Sequence, residues 1–187
     1  MTATTAATAT PVRTWKIDPS HSAVEFSARH LMITTVKGQF AEFDGVIGFD
    51  PASPASGTAQ VTIATSSITT RSADRDTHLR SPDFLDVEQF PAISFVSTGV
   101  ENVSDDGTTF TVVGDLSIHG VTRPVRLATT FEGQGADPWG NTRAAFLATA
   151  TIDRRDFGLV WNAALESGGV LVSNEIKLTL DVQAIGS

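Results

Sequence analysis

Acids, two arginines and a histidine crowd the stretch RDTHLRSPDFLDVEQFP, residues 75 to 91, so the first question is whether it is a catalytic or a metal-binding cluster. A metal site needs several converging donors at ligand spacing. The histidines His21, His30, His78 and His119 show no such spacing among themselves, and the chain has no cysteine to supply a thiolate. No metal site is expected. Asp76 and His78 could act as an acid–base pair only if they faced one another, and positions i and i+2 of a helix do not. Ser20 and Ser22 flank His21, but no glycine-rich nucleophile elbow accompanies them. In DPSHS these side chains are better suited to satisfying backbone groups where a strand begins. No catalytic residue is expected either. What remains is positive charge that could hold an anion: Arg71, Arg75 and Arg80 around the cluster, and Arg154 and Arg155 in DRRDFG. For the last two, surface pairing with Asp153 or Asp156 is the plainer reading.

The cluster has a structural reading of its own. Ser72 can cap a short helix over 73 to 80, on which Asp74 and His78, and Asp76 and Arg80, stand four apart with the acid N-terminal. Ser81-Pro82-Asp83 then supplies a cap, a first-turn proline and an early acid, so a second helical turn is expected to carry Phe84 and Leu85. Pro91 marks the return to extended chain. With Leu79, Phe84 and Leu85 turned to one side, the segment predicts a lid over the mouth of something.

What it would cover is a sheet. Period-two alternation recurs along the chain, which is the signature of half-buried strands. Residues 22 to 31 place Val24, Phe26, Ala28 and His30 on one face, and 172 to 184 turn Ile176, Leu178, Leu180, Val182 and Ala184 inward with charge confined to the other side. Similar runs occupy 58 to 65, 110 to 118, 125 to 131 and 144 to 152, while 36 to 49 and 93 to 100 are strands with less distinct faces. Turn chemistry such as SDDG at 104 to 107 and HGVTRP at 119 to 124 separates them closely, so neighbours are mostly antiparallel. With one helical stretch and no second layer, the economical fold is all-β, a sheet closed into an antiparallel barrel of about eight strands; a two-sheet sandwich is the alternative. Several inward positions, Ala28, Ala59, Gly114, Ala148 and Ala150, are small, which either leaves room for a ligand or offsets the bulky phenylalanines opposite.

Composition narrows the partners. A length of 187 residues with 41% hydrophobic content suits one core: a leader over 1 to 14, read as disordered, and one barrel domain over 15 to 187. A net charge of -8 argues against binding nucleic acid, which depends on neutralising phosphates. No apolar run is long enough to span a bilayer as a helix, and MTATTAATATPVRT has neither the early positive charge nor the apolar core of a secretory signal. Cytoplasmic residence is the expectation.

Four blocks, WKIDPSHSAVEF followed by VKGQFAEFDGVIGFD, then RDTHLRSPDFLDVEQFPAISF, GDLSIHGVTRPV and DRRDFG, resemble in this order the YceI family of lipocalin-like, polyisoprenoid-binding proteins, from about Trp15 to Ile185. The resemblance implies an extended antiparallel barrel with a helical segment near one end, an apolar tunnel for an isoprenoid chain, and homodimers. No cofactor beyond a bound isoprenoid lipid is expected. The expected function is non-enzymatic binding, sequestration or transport of an isoprenoid quinone, its precursor or a polyprenyl diphosphate. The tunnel wall is expected at Phe26, Phe40, Phe95, Leu116, Phe131, Phe146, Ala148, Ala150 and Leu178, with Leu79 and Phe84 at the mouth. A diphosphate head would need arginine forks from Arg71, Arg75 and Arg80, whereas a quinone needs only a donor or two and suits the negative overall charge. Two other readings stand beside this one. An enzyme acting on a lipid-like substrate would use His30, the clear inward ionisable group, and a stress-associated structural barrel would have no ligand.

Overall fold

The computed structural model describes residues 13–165 and 169–187; most of the proposed leader lies outside them, and its last residue, Thr14, already opens a strand. The strands are β1 (Thr14–Ile17), β2 (Ala23–His30), β3 (Thr34–Phe40), β4 (Phe43–Gly48), β5 (Thr58–Ala64), β6 (Ile68–Thr69), β7 (Ala92–Glu101), β8 (Thr109–Ile118), β9 (Val121–Ala136), β10 (Thr142–Asp153) and β11 (Val172–Gly186). One α-helix, α1 (Ala73–Arg80), lies between β6 and β7.

Register shows how these segments form eight strands. β2 pairs with β3 and β1 with β4, so β1–β2 and β3–β4 are two long strands, each broken once, and β5–β6 is a third. From β5 the chain runs as an antiparallel meander through β7, β8, β9, β10 and β11. The last strand then meets the first: Trp15 lies opposite Gly186, and Phe26 opposite Leu178. The result is a closed, lipocalin-like antiparallel barrel of 8 strands with one short helix. Closure leaves no long unpaired edge. The break at Ala41–Glu42, where Ala41 N donates to Ser67 O and Ala64 N donates to Glu42 O, explains why alternation blurs over 36 to 49. β1 and β6 are too short for alternation to reveal.

Aromatic side chains close the end of the barrel away from α1. Phe49 packs on Phe110, Phe131 and Phe146 with ring centroids 5.6, 4.9 and 5.0 Å away, and Trp15, fully buried beside them, donates its indole N–H to Phe49 O at 3.0 Å. A second cluster, including Phe95, Leu116, Ile118, Val125 and Leu127, lines the middle. Gly114 does not leave room there: an added Cβ would stand 2.4 Å from Phe95 Cζ, so the ring already lies over the glycine. At this position the small residue offsets a bulky neighbour.

The helix forms where the sequence places it, but its contacts differ. The Ser72 side chain makes no capping hydrogen bond. Asp76 turns inward and accepts from Thr70 N (2.7 Å) and Thr70 Oγ1 (2.6 Å), while Arg80 donates to Ser66 O (2.8 Å) and Ile68 O (2.6 Å). His78 pairs with Asp83 at 2.8 Å rather than with Asp74. Buried acceptors and donors left by β6 attract these side chains more strongly than the solvated i,i+4 partner would. Residues 81 to 90 form a series of turns, with Phe84 N and Asp86 N both donating to Ser81 O, and no second helix. In DPSHS Ser22 acts as expected, its Oγ within hydrogen-bond distance of Asp18 O and Gln183 O, whereas Ser20 Oγ and His21 Nδ1 contact the Asp18 carboxylate, which itself accepts from Ser20 N.

Candidate functional site

The inward faces of the strands surround a cavity of about 590 Å³. It runs from Arg29, His30 and Trp161 near α1 to Phe49, Val100 and Phe110 at the aromatic end. Its wall is built by alternation: Phe26 and Ala28 on β2, Phe40 on β3, Phe95 on β7, Leu116 on β8, Phe146 and Ala148 on β10, and Leu178 on β11. Phe26, Ala28, Phe40 and Leu178 face inward yet remain only half-buried, because among the described residues no side chain fills the space beside them.

Most of the charged lining groups lie near α1, where Arg29, His30, Thr70, Asp74, Arg75, His78 and Arg154 border the space, while Thr58 and Thr129 line it further along. Arg75 is positioned by its neighbours. Its Nε donates to Thr70 Oγ1 at 2.7 Å and its Nη2 to Thr70 O at 2.9 Å, and the same Thr70 is fixed by Asp76. Burial pushes the Asp76 carboxyl up, but the donors from Thr70 outweigh it and hold the group below the usual carboxylate range. His78 sits edge-on to Phe84 (5.1 Å) and to Trp161 (4.7 Å), so an aromatic trio joins the α1 segment to the chain that follows β10. By sequence, Trp161 and the small-residue run ESGG at 166 to 169 sit in a long loop that could form a rim moving when a ligand enters; residues 166 to 168 lie outside the described residues.

Most of the expected wall and mouth residues, including Leu79 and Phe84, border the cavity. Two do not. Phe131 belongs to the aromatic cluster with Phe49 and Phe146, and Ala150 packs against the middle cluster. Of the expected headgroup arginines only Arg75 borders the space: Arg80 is engaged with the carbonyls of Ser66 and Ile68, and Arg71 is exposed away from the lining.

Arg154, expected to pair with Asp153 or Asp156 at the surface, is instead buried. It is 4% exposed, borders the cavity, and donates through Nε to Ser173 O (3.0 Å) and through Nη1 to Leu159 O (2.5 Å). Desolvation lowers its pKa, and among the described residues no carboxylate lies within ion-pair distance of it. Arg155 follows expectation, pairing with Asp153 at 2.6 Å and drawing that carboxyl down to about 2. The adjacent arginines diverge because a short 3-10 turn over Arg154–Phe157 points one under the sheet and the other outward.

The YceI-like domain matches residues 15–184. A UPF0312 protein of Pseudomonas putida F1 is 41% identical over 173 residues, covering 91% of this chain and 85% of its own. Among solved structures, Burkholderia cenocepacia BcnA superposes with a TM-score of 0.77 at 24% identity, covering 90% of this chain and 99% of that one. A polyisoprenoid binding domain from Saccharophagus degradans, implicated in plant cell wall breakdown, superposes with a TM-score of 0.65 at 14% identity, covering 92% and 98%. At these identities the two structures share the barrel fold with this chain.

Proposed function

The chain belongs to the YceI-like domain family, and from that premise we propose that its barrel binds, sequesters or carries a long isoprenoid lipid. The observation that carries the reading is the apolar space left unfilled along the axis, bounded by half-buried Phe26, Phe40 and Leu178. At roughly 30 Å³ per water-sized group, about 590 Å³ corresponds to on the order of twenty methylene-sized groups, or three to four isoprene units. Each five-carbon unit buried from water contributes roughly 3 to 4 kcal/mol before ordering costs. The tail therefore dominates affinity, and the head selects.

The polar end of the ligand belongs near α1, where Arg75 and Arg154 border the space. Either the carbonyl of a quinone or the oxygens of a diphosphate could accept from such donors. The name of the Saccharophagus degradans domain lends the isoprenoid class support from outside the chain. Organic extraction of the purified protein followed by lipid mass spectrometry, beside an unrelated protein, tests the reading. A near-stoichiometric prenyl lipid is the expected result. An extract that stays empty after quinones and polyprenyl phosphates have been offered would reduce the cavity to a feature of the fold.

A further inference from the structure

The turn joining β2 to β3 exposes three consecutive apolar side chains, Leu31 (38% exposed), Met32 (54%) and Ile33 (74%), and Val160 (69%) stands on the same rim. We propose that this tip is a membrane-docking element that seats the mouth of the barrel on a phospholipid surface. The proposal rests on the lipid reading of the cavity, because a long prenyl chain is too insoluble to arrive through water.

Continuity with the cavity is the first argument. Leu31 N donates to Leu171 O (2.8 Å), Leu171 N donates to Ala163 O (3.0 Å), and Arg29, His30, Trp161 and Leu171 all border the space. The tip is thus the lip of the opening. Its conformation is the second argument. Leu31 (φ 52°) and Met32 (φ 58°) are both left-handed, a state disfavoured for residues with a Cβ and usually given to glycine or asparagine. Arg29 holds them there, its Nη2 donating to Met32 O and Ile33 O, both at 2.9 Å. Met32 and Ile33, kept more than half exposed on this turn, gain little from folding and are suited to insertion between headgroups. Charge is the third argument. Residues 26 to 41 carry Arg29, His30 and Lys37 with no acid, in a chain that holds 21 acids and a net charge of -8. The hairpin's own charge is therefore basic, with Glu175 of the neighbouring β11 beside Arg29, and it can pair with the phosphates of a lipid surface while the apolar side chains enter it.

The test uses protein stripped of lipid and vesicles of phosphatidylcholine and phosphatidylglycerol in equal parts, read by co-flotation. The wild type is expected to float with vesicles, and the triple variant Leu31→Asn, Met32→Gly, Ile33→Ser to partition at least about tenfold less, as loss of inserted apolar side chains requires. Its thermal midpoint should match or exceed the wild type, since Asn and Gly accept positive φ. As a second measurement, Ile33→Trp should shift its emission to the blue when vesicles are added. Equal flotation of both proteins, no flotation of the wild type, or no spectral shift would overturn the proposal. A wild-type dimer in sedimentation velocity that the triple variant abolishes, without vesicle binding, would overturn it in favour of contact between copies. Because the protein is empty, vesicle binding is read independently of extraction, so failure of docking and failure of the lipid cavity remain distinguishable.

Discussion

Ala148→Phe tests the cavity most directly. Ala148 lies on β10 opposite Thr129 on β9 and Leu180 on β11, and all three border the space, so an aromatic ring built there extends toward the axis. A phenyl group takes up about as much room as one isoprene unit, whose burial is worth roughly 3 to 4 kcal/mol. Part of that is recovered if the chain slides toward the mouth, which leaves about 2 kcal/mol, or on the order of thirtyfold in affinity. Ala148 is buried, so some overpacking is expected, about 1 kcal/mol because the lumen beside it is open. The assay is displacement of a fluorescent prenyl probe by isoprenoids of increasing length, with circular dichroism and a melting curve to verify folding. Long chains should lose more than short ones. Thr149→Phe, on the exposed outer face of the same strand, should bind like the wild type. A folded Ala148→Phe protein with affinity within about twofold of the wild type for every chain length would refute the assignment of ligand to this space.

Three further outcomes follow from contacts elsewhere. Gly114→Ala forces a Cβ to 2.4 Å from Phe95 Cζ and 2.6 Å from the Val96 carbonyl oxygen and should destabilise by about 1–3 kcal/mol in urea, with Phe95→Leu in the same chain failing to restore the loss because the backbone contact stays; no cost from the single change would show that both the ring and the strand give way freely. Asp76→Ala removes the acceptor shared by Thr70 N and Oγ1 and should cost about 1–3 kcal/mol, with amide exchange over Ala73–Arg80 accelerating first; unchanged exchange there would show the helix held by something else. Arg143 bridges Asp18 (2.6 Å) and Asp137 (2.8 Å), whose carboxyls are held well below the usual range, Asp18 mainly by Ser20 and then Arg143, Asp137 mainly by Asn141 and, more weakly, by Arg143. Because these folded pKa values lie below the unfolded value of about 3.9, their stabilisation is present above that pH and lost as pH falls through the folded values. The deficit of Arg143→Ala against wild type in urea melts should therefore be full at neutral pH and shrink below about pH 4; a pH-independent deficit would assign it to packing instead.

The barrel was legible because the long strands alternate apolar with polar residues, most cleanly over β11 where charge stays on one face, and a sheet with one apolar face and no covering layer has few options besides closure. The α1 helix was legible from local signals alone, the spacing of its side chains and the proline that follows it. Its partners were not. Asp76 and Arg80 satisfy the i,i+4 rule on paper, but the backbone and hydroxyl groups of Ser66, Ile68 and Thr70 compete for them once β6 is placed. Arg154 and Arg155 are adjacent and alike in sequence, and only the turn over Arg154–Phe157 buries one of them.

Alternation decides which face of a strand a side chain occupies, and on that basis the sequence by itself determined an all-β protein whose lumen carries phenylalanine, leucine and alanine. It carries no information about depth along the barrel axis. Depth depends on the register between strands and on closure, where Trp15 meets Gly186 from the other end of the chain. Register sets Phe131 of β9 opposite Phe146 of β10 with ring centroids 5.4 Å apart, and closure places the pair in the aromatic floor against Phe49, where Phe146 also borders the cavity and Phe131 does not. Gly114 is covered for the same reason: the ring over it comes from β7, and its distance exists only after the two strands have paired.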